Sequence, residues 1–255
     1  MSYTITTRLL PPHSKRRSGI LIPKVIFLVA HDTGNQGSTA AQNVSFYSRT
    51  AGEESASAHF FVDDVEILEC IPVLSGPPEK AWHVRYDQAE DNKIFGEDAN
   101  DGAIGIELCY GPKIDATEAY LRYVWLFSQL CTKFNLDPYH HITGHFLLDP
   151  ARRTDPINAL SKSGRSFDGL LNDVATAMGI AAPQLTQTIL TPPQAQITET
   201  TLRIRNMPNT KGLILRTLPK GTSLKANISC IGEKVGTTST WYGDGAGAWW
   251  WGGGV

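Results

Sequence analysis

The chain has few cysteines, little net charge and no long apolar run, and each shortage excludes a class of protein. Its four cysteines are widely spaced and form no Cys-x-x-Cys pair, so we expect reduced thiols rather than a disulfide framework. The formal net charge is only −2, which predicts no general attraction to nucleic acid. No stretch approaches the roughly 18 apolar residues of a membrane-spanning helix, and we expect no membrane span.

The amino terminus also lacks the features of a secretory signal peptide. Residues 1–8 read Met-Ser-Tyr-Thr-Ile-Thr-Thr-Arg. They contain neither a positively charged start nor an apolar core of about 7–15 residues. We therefore expect a protein that is made in the cytoplasm without a recognisable signal peptide, and that needs release or export to act elsewhere.

Strand-like and helix-like apolar patterns alternate through the first 180 residues, which predicts a mixed α/β domain. Residues 25–30 form a short apolar run with β-branched side chains, typical of a buried strand. The clearest helical stripe runs from Ala119 to Phe134. The predicted strands cover 25–30, 58–63, 66–71 and 103–109, the predicted helices cover 38–49, 116–135 and 165–178, and a loop-rich stretch covers 75–101.

Composition changes near residue 180 and predicts a second domain. Residues 181–197 are rich in Pro, Gln and Thr and nearly uncharged, which is typical of a linker. The remaining residues alternate in short segments separated by Gly-containing turns, as small strands and hairpins do. We predict a catalytic domain over 1–180, a linker over 181–197 and a small all-β domain over 198–255.

Two histidines and an aspartate suggest a metal site. His31 follows the predicted strand 25–30, and His145 follows a plausible short strand and turn at 139–144. Asp155 precedes a proline, which favours an extended loop conformation. Two imidazoles and a carboxylate are the ligand set of a catalytic zinc site. The spacing alone leaves the matter open, because two histidines and an aspartate can also be scattered in any enzyme.

Five blocks of residues occur in an order that marks a known enzyme family. The blocks cover 27–34, 57–64, 80–83, 103–108 and 144–156. The last is the most specific, since ten residues separate His145 from Asp155 and the block ends in Arg-Thr-Asp-Pro. This order resembles the type 2 N-acetylmuramoyl-L-alanine amidases, which include the peptidoglycan-recognition proteins. The resemblance implies a mixed central β-sheet flanked by helices, and Zn²⁺ as the cofactor with His31, His145 and Asp155 as its ligands.

The resemblance also implies roles for two charged residues. Glu107 stands in the block Ile-Gly-Ile-Glu, where the family glutamate moves a proton from the attacking water to the leaving amine. Arg153 takes the place of a family lysine and could stabilise the developing oxyanion. The alternatives are a surface-facing strand residue for Glu107, and for Arg153 a surface ion pair with Asp149 or Asp155.

The family block Ala-Trp-His implies that Trp82 and His83 contact the substrate in the cleft. His59 lies in a predicted strand, and the matching family histidine is usually packed beside the metal ligands rather than binding the metal. We therefore interpret His59 as a core histidine whose ring nitrogens are satisfied within the protein. Only His31 and His145 remain as histidine ligands.

The C-terminal segment resembles bacterial SH3-type (SH3b) domains, which tether wall hydrolases to peptidoglycan. The resemblance is carried by Leu-Arg-Ile-Arg at 202–205, Leu-Pro-Lys-Gly at 218–221, Trp-Tyr at 241–242 and Trp-Trp-Trp-Gly at 249–252. The aromatic residues could stack on sugar or peptide. They could equally form the core of so small a domain.

Taken together, the residues and the resemblances predict a zinc-dependent amidase that cleaves peptidoglycan between the lactyl group of N-acetylmuramic acid and L-alanine of the stem peptide. Its site of action would be the cell wall. Two alternatives remain, a peptidoglycan-binding protein without catalysis and a zinc peptidase that cuts within the stem peptide. An export machine, a holin or an immunity protein as a further partner is not readable from the residues.

Overall fold

The computed structural model describes residues 2–180, 187–210 and 214–255. The chain divides into two compact units, Met1–Ile180 and Ala181–Val255. Within the described residues no helix has the length and apolar character needed to cross a membrane.

The first unit contains a mixed sheet with helices packed against it. Its strands follow the order β1-β4-β3-β5-β2-β6, and only the β3–β4 pair is antiparallel. The predicted mixed α/β fold is therefore confirmed. The strands are β1 (Ile5–Thr7), β2 (Phe27–Asp32), β3 (Phe60–Val62), β4 (Ile67–Glu69), β5 (Ala103–Leu108) and β6 (Ile142–Gly144). The helices are α1 (Ala40–Arg49), α2 (Glu90–Phe95), α3 (Ala99–Gly102), α4 (Ala116–Phe134), α5 (Pro138–His141), α6 (His145–Leu148), α7 (Ile157–Lys162) and α8 (Phe167–Ala177).

The two central strands, β2 and β5, decide where functional side chains lie. Phe27 pairs with Ala103, and His31 pairs with Glu107 four residues further along both strands. Phe27 and Ala103 belong to one apolar cluster, which also contains Leu148 of α6. Because side chains alternate between faces with a period of two, His31 and Glu107 lie on that same face of the sheet.

Local capping explains the observed helix bounds. Helix α1 begins at Ala40, where Thr39 and Gln42 form a reciprocal capping box, rather than at the predicted Ser38. Helix α4 begins after Asp115, which accepts two backbone hydrogen bonds, and ends at Asn135 in the left-handed conformation. The stretch 75–101, predicted to be loop-rich, contains the short helices α2 and α3. They were missed because four to six residues are too few to show a helical period.

The second unit is an antiparallel sheet in the order β7-β10-β11-β12-β8-β9. Its core includes Trp241, Trp249 and Trp250, each at most 4% exposed. Trp251 and Tyr242 are only partly buried. Three of these five aromatic residues therefore belong to the core of the second unit, as one of the two interpretations predicted. The elements are β7 (Gln187–Ile197), β8 (Leu202–Arg205), β9 (Ile214–Leu218), β10 (Ser223–Val235), β11 (Thr238–Gly243), β12 (Trp249–Trp251) and the 3₁₀ turn Gly252–Gly254.

The predicted linker over 181–197 is wrong for residues 187–197, which form strand β7 and pair with β10. The rest of that prediction, residues 181–186, lies outside the described residues. Strand β7 lies at the edge of the sheet, where proline is tolerated because one side of the strand needs no ladder hydrogen bonds. Its two prolines, Pro192 and Pro193, fall between two paired stretches. A proline-rich composition therefore does not exclude a strand here.

The buried carboxylate of Asp63 joins the β3–β4 turn to the start of α1. It accepts hydrogen bonds of 2.8 Å from the backbone N–H groups of Ala40, Val65 and Glu66. We expect Asp63→Ala to lower the free energy of unfolding by about 2–4 kcal/mol, because it leaves these donors without their acceptor. Equilibrium urea denaturation measures the loss.

Asp64→Ala is the matched control, since within the described part of the chain the adjacent Asp64 accepts one exposed backbone hydrogen bond, from Asp115. We expect it to cost less than about 1 kcal/mol. Equal losses in the two variants would contradict the assigned role of Asp63.

Candidate metal centre

Three segments meet where the parallel strands β2, β5 and β6 end. His31 lies near the carboxyl end of β2, and Ala30 pairs with Gly144, the last residue of β6. His145 follows directly as the first residue of α6. A Cβ on Gly144 would lie 2.5 Å from the ring of Phe146, so a side chain at position 144 would displace that ring.

The turn that carries Asp155 folds back onto α6. The backbone carbonyl of Asp155 accepts a hydrogen bond of 3.0 Å from the N–H of Phe146. Asp32, next to His31, accepts a hydrogen bond of 3.2 Å from the N–H of Ala159. Residues 155–159 are therefore attached both to α6 and to the end of β2.

His31, His145 and Asp155 form a compact buried cluster. Nδ1 of His31 and Nδ1 of His145 each lie 3.0 Å from Oδ2 of Asp155. One ligand atom from each residue lies within 4.8 Å of the other two, and all three residues are at most 8% exposed. The structure brings together the three residues that the sequence predicted, and their role as metal ligands stays a prediction.

The protonation states of the cluster suit a divalent cation. Burial lowers the pKa of His31 to about 4, so its ring is neutral at pH 7. Burial by itself would raise the pKa of Asp155. The hydrogen bonds that Asp155 accepts from His145 and His31 outweigh burial and hold this pKa well below its usual range. Metal ligands must be deprotonated to bind, and two nitrogens with one carboxylate oxygen are donors that zinc accepts.

Glu107 lies beside the cluster, on the same face of the sheet. Its pKa is raised well above the usual value, first by burial and then by the nearby charges of Asp155 and Asp32. Its Oε2 atom is buried and has no hydrogen-bond partner among the described residues. The surface-facing alternative is therefore wrong. The carboxyl group of Glu107 faces a cleft.

That cleft has a volume of about 880 Å³ and opens over the cluster. It is large enough for a substrate that extends beyond the reacting bond. Trp82 lines it and is partly buried, and Arg153 lines it from an exposed position. The lining residues also include Tyr47, Tyr86, Arg85 and Asn158. Tyr47 and Tyr86 were missed because nothing in their sequence surroundings distinguishes them from packing or surface residues.

The ion-pair alternative for Arg153 does not hold within the described residues. Asp149 instead pairs with the adjacent Arg152, with 3.2 Å between Nε and Oδ1. The charge of Arg153 acts on the site at longer range. It partly opposes the rise in the pKa of Glu107 and adds to the fall in the pKa of His31. Arg153 is thus positioned to place positive charge in the cleft.

The two remaining histidines near the site differ in their contacts. The Nδ1 atom of His59 accepts a hydrogen bond from the N–H of Gly105, and its Nε2–H donates to the carbonyl of Glu79, at 3.0 and 2.8 Å. These contacts agree with the interpretation of His59 as a core histidine. His83 lines the cleft but is only 8% exposed, and its Nδ1 lies 3.0 Å from Nε2 of His31. A substrate contact by His83 stays a prediction.

Comparison with known proteins identifies related enzymes. A family model described as N-acetylmuramoyl-L-alanine amidase matches residues 23–158. Over 178 residues the chain is 28% identical to the N-acetylmuramoyl-L-alanine amidase BlyA of Bacillus subtilis (strain 168), and the match covers 64% of this chain and 45% of that relative. The chain thus spans less than half the length of this curated relative.

Solved structures share the fold of the first unit. The catalytic domain of XlyA matches with a TM-score of 0.54 at 22% identity, covering 67% of this chain and 99% of that one. A mutant endolysin from Bacillus subtilis matches with a TM-score of 0.55 at 23% identity, covering 68% and 99%. At this level of identity the likeness establishes the fold alone.

The geometry predicts that the cluster binds one zinc ion. We expect His145→Ala to lose at least about 100-fold in zinc affinity, because it removes one of three protein ligands from a site whose remaining donors are buried. Competition with a chromophoric chelator, on protein first stripped of metal, measures the affinity.

His140→Ala is the control, since His140 contacts Asp137, the residue that caps the start of α5, rather than the cluster. We expect it to bind zinc as the wild type does. Unchanged zinc affinity in His145→Ala would remove His145 from the ligand set.

Proposed function

This chain belongs to the N-acetylmuramoyl-L-alanine amidase family, and from that premise we propose that it is a zinc-dependent peptidoglycan amidase. It hydrolyses the amide between the lactyl group of N-acetylmuramic acid and L-alanine of the stem peptide. One observation carries the proposal. The buried cluster of His31, His145 and Asp155 lies in the same cleft as Glu107, whose Oε2 atom has no hydrogen-bond partner among the described residues.

The proposed chemistry divides between the cofactor and the protein. Zinc, when bound by His31, His145 and Asp155, supplies Lewis-acid polarisation and lowers the pKa of water. Glu107 accepts a proton from the attacking water and donates it to the leaving amine of L-alanine. A pKa raised by burial suits a group that must both accept and donate a proton near neutral pH.

Arg153 supports the developing oxyanion by its charge. An arginine side chain presents a fixed fork of N–H groups rather than a proton to transfer, so its proposed role is electrostatic. Arg153 lines the cleft from an exposed position, and a preorganised positive charge there would stabilise the negative charge that develops in the transition state. Trp82 contacts the substrate from the wall of the cleft.

We further propose that the second unit is an SH3b-like domain that binds the cell wall. Three of its tryptophans are core residues, and Tyr242 and Trp251 are the partly exposed aromatic residues left for a ligand. Binding the wall would raise the local concentration of substrate for the amidase unit. The protein would then act on the cell wall in the manner of an endolysin.

A digest of purified peptidoglycan, analysed by mass spectrometry, tests the proposed bond. We expect free stem peptides with a new L-alanine amine, abolished by a chelator and restored by Zn²⁺. Products cut within the stem peptide would leave the proposed metal site standing but would show that the enzyme cleaves a different bond. A folded, zinc-loaded protein that binds several wall types but releases no product would instead be a binding protein.

Glu107→Gln separates catalysis from metal binding. The amide is nearly isosteric but cannot take up the proton, so we expect turnover to fall about 10²–10⁴-fold while zinc remains bound. Turnover is followed by amine release and zinc by metal analysis of the same samples. Glu97→Gln serves as a control, because Glu97 lies between α2 and α3 and does not line the cleft. Full activity in Glu107→Gln would remove this residue from the mechanism.

A further inference from the structure

The two ring nitrogens of His31 have different partners. Nδ1 lies 3.0 Å from Oδ2 of Asp155, within the predicted metal centre. Nε2 lies 3.0 Å from Nδ1 of His83. The two rings stand edge to face, at 5.2 Å between centroids and 89° between planes. This geometry directs a nitrogen of His83 at the nitrogen of His31 that faces away from the centre.

The direction of this hydrogen bond depends on what Nδ1 of His31 binds. In the metal-free protein Nδ1–H of His31 donates to Asp155, so Nε2 of His31 accepts a hydrogen bond from Nδ1–H of His83. When Nδ1 instead gives its lone pair to a metal, the single proton of the neutral His31 ring lies on Nε2. The same contact then requires His83 to accept through Nδ1 and to carry its own proton on Nε2.

His83 is itself held firmly in place. Its backbone N–H and that of Val84 donate to Oδ1 of Asn100 at 2.9 and 3.1 Å, and Nδ2 of Asn100 donates to the carbonyl of Val84 at 2.7 Å. The ring packs on Gly105 of β5, where an added Cβ would lie 2.7 Å from Cγ of His83. A side chain at position 105 would therefore displace the imidazole.

The second ring nitrogen of His83 has no comparable contact. Nε2 is buried without a hydrogen-bond partner among the described residues. His83 thus directs Nδ1 at His31, and the backbone of Ala103 is a further polar group beside its ring. Backbone hydrogen bonds and packing hold the rest of the residue. An imidazole fixed in this way provides a stationary hydrogen-bond partner for the ring of a metal ligand.

We propose that His83 is a positioning residue for the metal centre, which orients His31 and fixes its tautomer through the Nε2–Nδ1 hydrogen bond. The inference rests on the proposed function, because it takes His31 as a zinc ligand. It gives His83 a role in metal affinity, in place of the substrate contact that the sequence suggested. Partners of this kind typically change metal affinity about 10–100-fold.

The test compares two substitutions at one position. His83→Leu fills similar space but cannot accept a hydrogen bond, whereas Oδ1 of His83→Asn lies close to the place of Nδ1. We expect His83→Leu to weaken zinc binding about 10–100-fold and His83→Asn to restore most of the affinity. Chelator competition on the full chain gives the affinities, and urea denaturation of the metal-free proteins measures any general loss of stability.

Trp82→Leu is the matched control from the same segment, since Trp82 lines the cleft without contacting a predicted ligand. We expect it to raise KM and leave zinc affinity unchanged. Imidazole ¹⁵N spectra provide a readout that is independent of turnover. They should show the proton of His83 on Nδ1 in the metal-free protein and on Nε2 after zinc is added.

Three results would overturn the proposal, and they differ from one another. If His83→Leu raises only KM, His83 is a substrate contact. If His83→Leu and His83→Asn weaken zinc binding equally, and by as much as they destabilise the metal-free fold, the role of His83 is packing. If the wild type binds no zinc, the proposed function fails, and the assignment of His83 fails with it.

Discussion

A single oxygen atom, Oδ2 of Asp155, determines the arrangement of the site, because it lies 3.0 Å from a ring nitrogen of both His31 and His145. Each of these residues belongs to a different segment, and none of the segments could hold the geometry by itself. The contact requires the turn at 155 to fold back onto α6, which the backbone hydrogen bond from Phe146 secures. The rings of Phe146 and Pro156 pack closely on Gly144 beside this turn, where a larger residue would displace them.

Burial of ionisable groups gives the site donors that suit a cation. Three carboxyl groups, those of Asp32, Glu107 and Asp155, lie near one another around the end of β2, and their mutual repulsion contributes to the raised pKa values of Glu107 and Asp32. His31, His59 and His83 are held neutral because burial lowers their pKa values. Neutral imidazoles offer free electron pairs, and a divalent cation would reduce the repulsion between the crowded carboxyl groups.

The sequence misled where local composition and tertiary context disagree. Residues 187–197 have a linker composition and yet form an edge strand, because an edge accepts prolines that a central strand would not. Helices α2 and α3 are too short to show a period. The direction of the His83 side chain was also beyond sequence reasoning. The motif places His83 at the cleft. Its ring is turned towards His31 by packing on Gly105 and by the hydrogen bond from the His83 backbone N–H to Asn100.

By itself, the sequence determined the mixed α/β fold and the family, and it named the candidate residues of the site, because strand periodicity and the spacing from His145 to Asp155 are local features of the chain. The tertiary structure decided which atoms of those residues meet. The register that places His31 beside Glu107 and the burial that shifts their pKa values arise from contacts between segments far apart in the chain. Such contacts depend on how whole strands pack, and no local pattern of residues specifies them.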